Sequence, residues 1–107
     1  HSYQRYQGEK LRRRFNAYSY YRVSQAVDSH DIGRGRGGVE AALATIKSRT
    51  FVVGITSDIL FTEVENRYLA DNIKGAHYHL IDSSFGHDGF LVEAESLNKL
   101  ILEFINN

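Results

Sequence analysis

The sequence predicts an α/β fold with parallel strands and flanking helices, preceded by two further helices. Three observations carry that expectation. Phe51-Val52-Val53-Gly54-Ile55 is a continuous apolar run of strand length, and His77-Tyr78-His79-Leu80-Ile81 is a second short strand pattern. The stretch between them reads as a helix, so the strands are joined by a crossover and are expected to lie parallel in one sheet. Before them, residues 3–29 show helical spacing.

The chain has 107 residues, of which 42% are apolar and 12% aromatic, the composition of one globular domain. Thirteen basic residues balance thirteen acidic ones, which gives no electrostatic argument for nucleic acid or an acidic membrane surface. The absence of cysteine excludes disulfides and thiolate zinc sites. No apolar run reaches the length of a membrane span, and the N-terminus has no signal-peptide core. The chain contains no methionine and begins at His1, so it is read as a processed product or a piece of a longer chain.

In the first segment, Tyr3, Tyr6, Leu11, Phe15 and Tyr18 recur at helical spacing, with Lys10, Arg12, Arg13 and Arg14 on the other faces, a solvated basic run. Asn16 is a cap for a second helix reaching about Ser29. Gly33, Gly35 and Gly38 spell Gly-x-Gly-x-x-Gly, but a helical stretch precedes them where a dinucleotide site needs a strand, so they are read as a hinge. Arg34 and Arg36 beside the next helix are weaker candidates for holding a phosphate-bearing ligand. That next helix carries the stripe Val39, Ala42, Leu43 and Ile46.

The first strand reads as buried on both faces and ends at Thr56-Ser57-Asp58. Thr62 and Glu65 form a capping box for the crossover helix, whose inward residues are expected to be Val64, Tyr68, Leu69 and Ile73, with a stop at Lys74-Gly75. After the second strand, Phe85-Gly86-His87-Asp88-Gly89-Phe90 sets a histidine between two glycines whose backbone freedom aims it out of a tight loop. Leu97, Leu100, Ile101, Phe104 and Ile105 mark an amphipathic terminal helix. Two parallel strands need cover on faces and edges, so more sheet is expected elsewhere.

In this layout Asp58 and His87 both lie past the C-terminal ends of parallel strands, the edge at which open α/β sheets place active sites. An aspartate and then a histidine in that order are the last two members of a Ser…Asp…His arrangement, in which the carboxylate orients the imidazole and the imidazole moves protons for a serine. No serine of this chain stands in a Gly-x-Ser-x-Gly elbow. The plainer alternatives are a surface loop histidine at His87, a turn cap at Asp58, and a helix N-cap at Asp88. His77 and His79 share one face of a strand, but no carboxylate spacing completes a metal site with His87 or His30.

Four blocks carry a resemblance: Phe15-Asn16-Ala17-Tyr18-Ser19-Tyr20, Asp31-Ile32-Gly33-Arg34-Gly35-Arg36-Gly37-Gly38, Ser57-Asp58-Ile59-Leu60-Phe61 and Gly86-His87-Asp88-Gly89-Phe90-Leu91. In this order they resemble the C-terminal part of the homoserine O-acetyltransferase family, acyltransferases of methionine biosynthesis with an α/β-hydrolase fold. The resemblance implies that Asp58 and His87 are the triad acid and base and that Asp88 contacts the amino group of L-homoserine. It also implies acetyl-CoA as co-substrate with no bound cofactor and no metal, a cytoplasmic setting, and neither nucleic acid nor membrane as partner. Residues 1–31 would belong to a helical lid that contributes to a homodimer interface, and residues 32–107 to the C-terminal part of the hydrolase domain. The serine elbow, oxyanion donors and substrate-binding arginine would lie upstream, in the missing N-terminal part of the same protein, so the chain alone is expected to be inactive.

Two positions depart from the family pattern: Asn16 stands where aspartate is usual, and Thr62 where proline usually follows Leu-Phe. Both bear on lid and loop shape. The alternatives to homoserine acetylation are a related succinyl or serine acyltransferase, an esterase, or a non-catalytic structural or interaction module.

Overall fold

The computed structural model describes residues 2–107, which divide into two compact units between Ile32 and Gly33. The first unit contains helices α1 (Ser2–Arg14) and α2 (Ala17–Asp28). Helices α1 and α2 part at the expected cap: Asn16 takes an extended conformation and its side-chain oxygen accepts the Ser19 N–H at 2.8 Å, starting α2. Arg12, Arg13 and Arg14 fall in the last turn of α1, where the helix dipole favours positive charge. Neither helix buries a residue, and Tyr3, Tyr6, Tyr18, Tyr20 and Tyr21 are all exposed.

The second unit opens with a tight glycine turn. Arg36 and Gly38 both donate backbone N–H bonds to the Gly33 carbonyl, and a Cβ on Gly33 would stand 2.5 Å from the Gly38 carbonyl carbon. The turn closes on its own backbone and leads into α3 (Val39–Leu43), which buries Ala42 and Leu43. Helix α3 is shorter than its stripe suggests, because Thr45 and Ile46 tighten into i→i+3 bonds to Ala42 and Leu43.

Strands β1 (Phe51–Ile55) and β2 (His77–Ile81) pair in parallel, with Phe51 opposite His77 and Ile55 opposite Ile81. Helix α4 (Glu63–Asn72) makes the crossover and packs on both strands. Its start is the expected capping box, with the Glu65 N–H donating to the Thr62 hydroxyl and the Thr62 N–H donating to the Glu65 carboxylate. The inward face differs from expectation: Ala70 and Ile73 are buried and Asn66 half-buried, while Val64 is 78% exposed. Asn66 and Ala70, four residues apart, share the covered face of the helix, and Val64 lies off it.

Strand β1 is less covered than its apolar run implies. Only Gly54 and Ile55 are buried, because a two-stranded sheet leaves edges and part of its faces open. The core is Ala42, Leu43, Ile55, Ala70, Ile73 and Ile81. After β2 come a 3-10 turn (Gly86–Asp88), α5 (Gly89–Val92) and α6 (Ala94–Asn106). Leu97, Leu100 and Phe104 are the half-covered stripe of α6, and Phe104 stacks on Phe51 with ring centroids 5.1 Å apart.

Candidate active site

Asp58 follows the turn that ends β1. One carboxylate oxygen, Oδ1, accepts the backbone N–H of Leu60 at 2.8 Å and of Phe61 at 3.0 Å. This is the local turn chemistry in which aspartate excels, and it fixes the side-chain rotamer. The other oxygen, Oδ2, lies 2.8 Å from Nδ1 of His87, which is 29 residues further along the chain. Asp58 is buried, whereas the His87 side chain is 40% exposed. The acid is sheltered and the base is accessible.

Its bond to His87, and then the Phe61 amide, hold the Asp58 carboxyl below its ordinary value, against the opposing effect of burial. A depressed folded-state value means that the stability Asp58 contributes is present above the ordinary carboxylate pKa. It is lost as pH falls through the lower folded value. Above that range the ionised carboxylate only accepts hydrogen bonds, so Nδ1 of His87 must carry a proton and donate it. In neutral imidazole this leaves Nε2 as a proton acceptor.

His87 lies between two aromatic rings. Phe61 is 5.1 Å away and Phe90 5.5 Å away, centroid to centroid, both tilted to the imidazole plane. These rings, with Val53, Ile55 and Leu97, line a cavity of about 260 Å³ to which Asp58, Asn66 and His87 supply the polar groups. The Asn66 amide donates to the Phe61 carbonyl at 2.9 Å, which anchors the loop carrying Phe61. Apolar surroundings strengthen the charge-assisted bond between Asp58 and His87.

The glycines around His87 have different tasks. Gly86 has φ of +61°, the left-handed conformation that glycine tolerates. Gly89 is helical and buried, and its task is close approach: a Cβ there would stand 2.8 Å from Ile55 Cγ2 and 3.1 Å from Ser83 Oγ. The expectation that both glycines serve through backbone freedom therefore holds only for Gly86. Changing Gly89 to Ala is expected to lower the unfolding free energy by about 1–3 kcal/mol, as overpacking does. A denaturant midpoint equal to wild type would show that Ile55 and Ser83 give way freely.

The structure thus joins Asp58 to His87 and does not bring Asp88 into the pair. Asp88 is exposed at the head of α5 and makes no side-chain capping bond. The N-cap alternative for the terminal helix does not match, since α5 intervenes before α6. His77 and His79 lie on the exposed face of β2, and His77 packs edge-on against Phe104. Sequence reasoning passed over Asn66, the bracketing rings, and the hydroxyls of Thr56 and Ser57 that tie the two loops together.

Parallel strands joined through a helix, with this acid–histidine pair at their C-terminal edge, are a portion of an α/β-hydrolase fold. Solved structures agree: the chain superimposes on an N-acyl homoserine lactone degrading enzyme (TM-score 0.56, 33% identity, 63% of this chain and 26% of that one). It also superimposes on an acetylester hydrolase from Corynebacterium glutamicum (TM-score 0.53, 32% identity, 58% of this chain and 18% of that one). In sequence it is 50% identical to the homoserine O-acetyltransferase of Cyclobacterium marinum over 96% of this chain and 29% of the relative. The corresponding enzymes of Clavibacter michiganensis and Thermobifida fusca are 44% and 46% identical, over 98% and 97% of this chain and 28% of each relative. In sequence the chain is thus similar to homoserine O-acetyltransferases, and it spans under a third of the length of the curated relatives it matches. No protein-family profile matches it.

Proposed function

We propose that this chain supplies the acid–base arm of an enzyme that moves an acetyl group from acetyl-CoA to the hydroxyl of L-homoserine, a step of methionine biosynthesis. The observation that carries the reading is the 2.8 Å bond between Asp58 and an accessible His87. A serine outside these 107 residues attacks the thioester, and His87 Nε2 accepts the serine proton while Asp58 holds the ring and balances the imidazolium charge. The proton passes to the departing thiol of coenzyme A. His87 then takes the homoserine hydroxyl proton as that oxygen attacks the acyl-serine, and returns it to the serine as the ester leaves.

Asp88 meets the cationic amino group of homoserine, a role that its exposure beside His87 supports. Residues 1–31 form part of a lid whose closure favours homoserine over water as acceptor, and their exposed aromatic side chains fit a homodimer interface. No helix among the described residues is long and apolar enough to cross a membrane; the cytoplasmic setting is part of the same proposal and follows from the resemblance to homoserine O-acetyltransferases.

A second reading, with water as acceptor, draws on the two solved neighbours, which are named as a lactone-degrading enzyme and an acetylester hydrolase. Thiol release from acetyl-CoA by the full-length protein separates them. The transferase reading expects steady release only when L-homoserine is present, with O-acetylhomoserine formed in equal amount. Steady release of thiol and acetate without homoserine would establish the hydrolase instead, and preference for succinyl-CoA or for serine would overturn the assigned donor or acceptor.

A further inference from the structure

The β1–β2 ladder ends where Ile55 faces Ile81, and the next backbone bond, from the Thr56 N–H to the Ile81 carbonyl at 3.1 Å, is the last that the sheet provides. Asp58 and His87 stand beyond that point. Their spacing is set by side chains that continue the ladder after the backbone has stopped pairing. The Ser83 N–H donates to the Thr56 hydroxyl at 3.1 Å. The Ser57 hydroxyl donates to the Ser83 carbonyl at 2.6 Å and accepts the Gly86 N–H at 2.8 Å.

A hydroxyl has one proton to give, so these bonds fix each other's direction. Ser57 spends its proton on Ser83 and so presents a lone pair to Gly86. Thr56, which accepts from the Ser83 N–H, has its own proton within reach of two acceptors, Asp82 Oδ1 at 3.0 Å and the Ser83 carbonyl at 3.1 Å. The result is two adjacent rungs between the loops: Ser57 to Gly86, then Asp58 to His87.

We propose that Ser57 is a positioning residue for the Asp58–His87 pair, holding the amide of the residue before His87 as Asp58 holds its ring. The proposal rests on the acid–base reading of His87 given above. Gly86 has the left-handed φ of +61°, and its N–H is a single well-placed handle at the entry of the loop. Without Ser57 Oγ, Thr56 still ties Asp82 and Ser83 to the β1 turn, but the Gly86 N–H loses its partner there, and the backbone next to His87 is held less closely while Asp58 holds the ring.

In the full-length protein, Ser57→Ala is expected to lower kcat about ten- to hundredfold, the cost of a small misplacement of a reacting group. KM for acetyl-CoA and homoserine should stay within about twofold, because no substrate contact is lost. The low-field proton NMR signal of His87 Nδ1–H should broaden or disappear with it. Ser57→Thr keeps the hydroxyl and should restore both readouts. Wild-type kcat together with an intact Nδ1–H signal in Ser57→Ala would overturn the proposal.

If Ser57→Ala does not fold, Ser57→Thr and Ser57→Cys decide. The weaker donor and acceptor sulfur should lose kcat where threonine keeps it, and equal rates in the two would sink the idea. His87→Ala separates the two levels of the account. Retained acylation in that variant defeats the acid–base reading itself, whereas lost acylation with an unaffected Ser57→Ala defeats only the positioning role.

Discussion

Replacing Asp58 by asparagine in the full-length protein is expected to reduce kcat about 10⁴-fold while leaving the fold in place. The reason lies in how the two carboxylate oxygens are used. The asparagine Oδ1 can still accept the Leu60 and Phe61 amides, which lie 2.8 and 3.0 Å from it, so the turn survives. The amide nitrogen then occupies the place of Oδ2 and presents an N–H toward His87. Nδ1 must become the acceptor, the ring proton moves to Nε2, and the nitrogen that has to take a proton from serine already carries one. The imidazolium also loses its counter-charge. Steady-state kinetics beside a thermal melt checks both halves, and a loss below about tenfold would show that Asp58 does no more than cap its turn.

His87→Ala is expected to cost at least as much, about 10⁴-fold or more in the acylation step. Its structural cost should be small. The side chain is 40% exposed, so its removal opens Asp58 Oδ2 to water, while Oδ1 keeps its two backbone donors. The substitution opens space between Phe61 and Phe90, whose rings lie 5.1 and 5.5 Å from the imidazole they bracket. Free imidazole added to the variant should therefore recover part of the rate, and a shape-matched compound without a basic nitrogen should not. A variant with near-normal acylation would remove His87 from the chemistry.

Much of this arrangement was legible because it depends on local pattern. Phe51–Ile55 declared itself as a short apolar run and His77–Ile81 as a second short strand pattern, and their parallel pairing followed from the helix between them. Parallel strands deliver their following loops to the same edge, so the meeting of Asp58 with His87 followed from chain order. Thr62 with Glu65 and Asn16 with Ser19 were readable because a cap is settled within four residues.

What escaped the sequence was settled by packing between distant residues. Ser57 meets Ser83 and Gly86 across 26 and 29 positions, and an isolated serine at a strand end carries no mark of such contacts. Gly89 reads as a source of backbone freedom beside His87, yet its requirement comes from Ile55, a residue on another element. Helix α4 turns a face containing Asn66 and Ala70 toward the sheet, which an apolar count overlooks in favour of Val64. The division of the last segment into α5 and α6 at Glu93 has no proline or glycine to announce it.

The central claim is that Asp58 acts through His87, and a double-mutant comparison of the first thiol release from acetyl-CoA tests it most directly. Single-turnover rates would be measured for the full-length protein, for Asp58→Asn, for His87→Ala, and for both changes together. If the carboxylate works only by holding and charging the imidazole, the double variant loses no more than His87→Ala alone. Losses that multiply would mean that the two residues act independently, and would contradict the account.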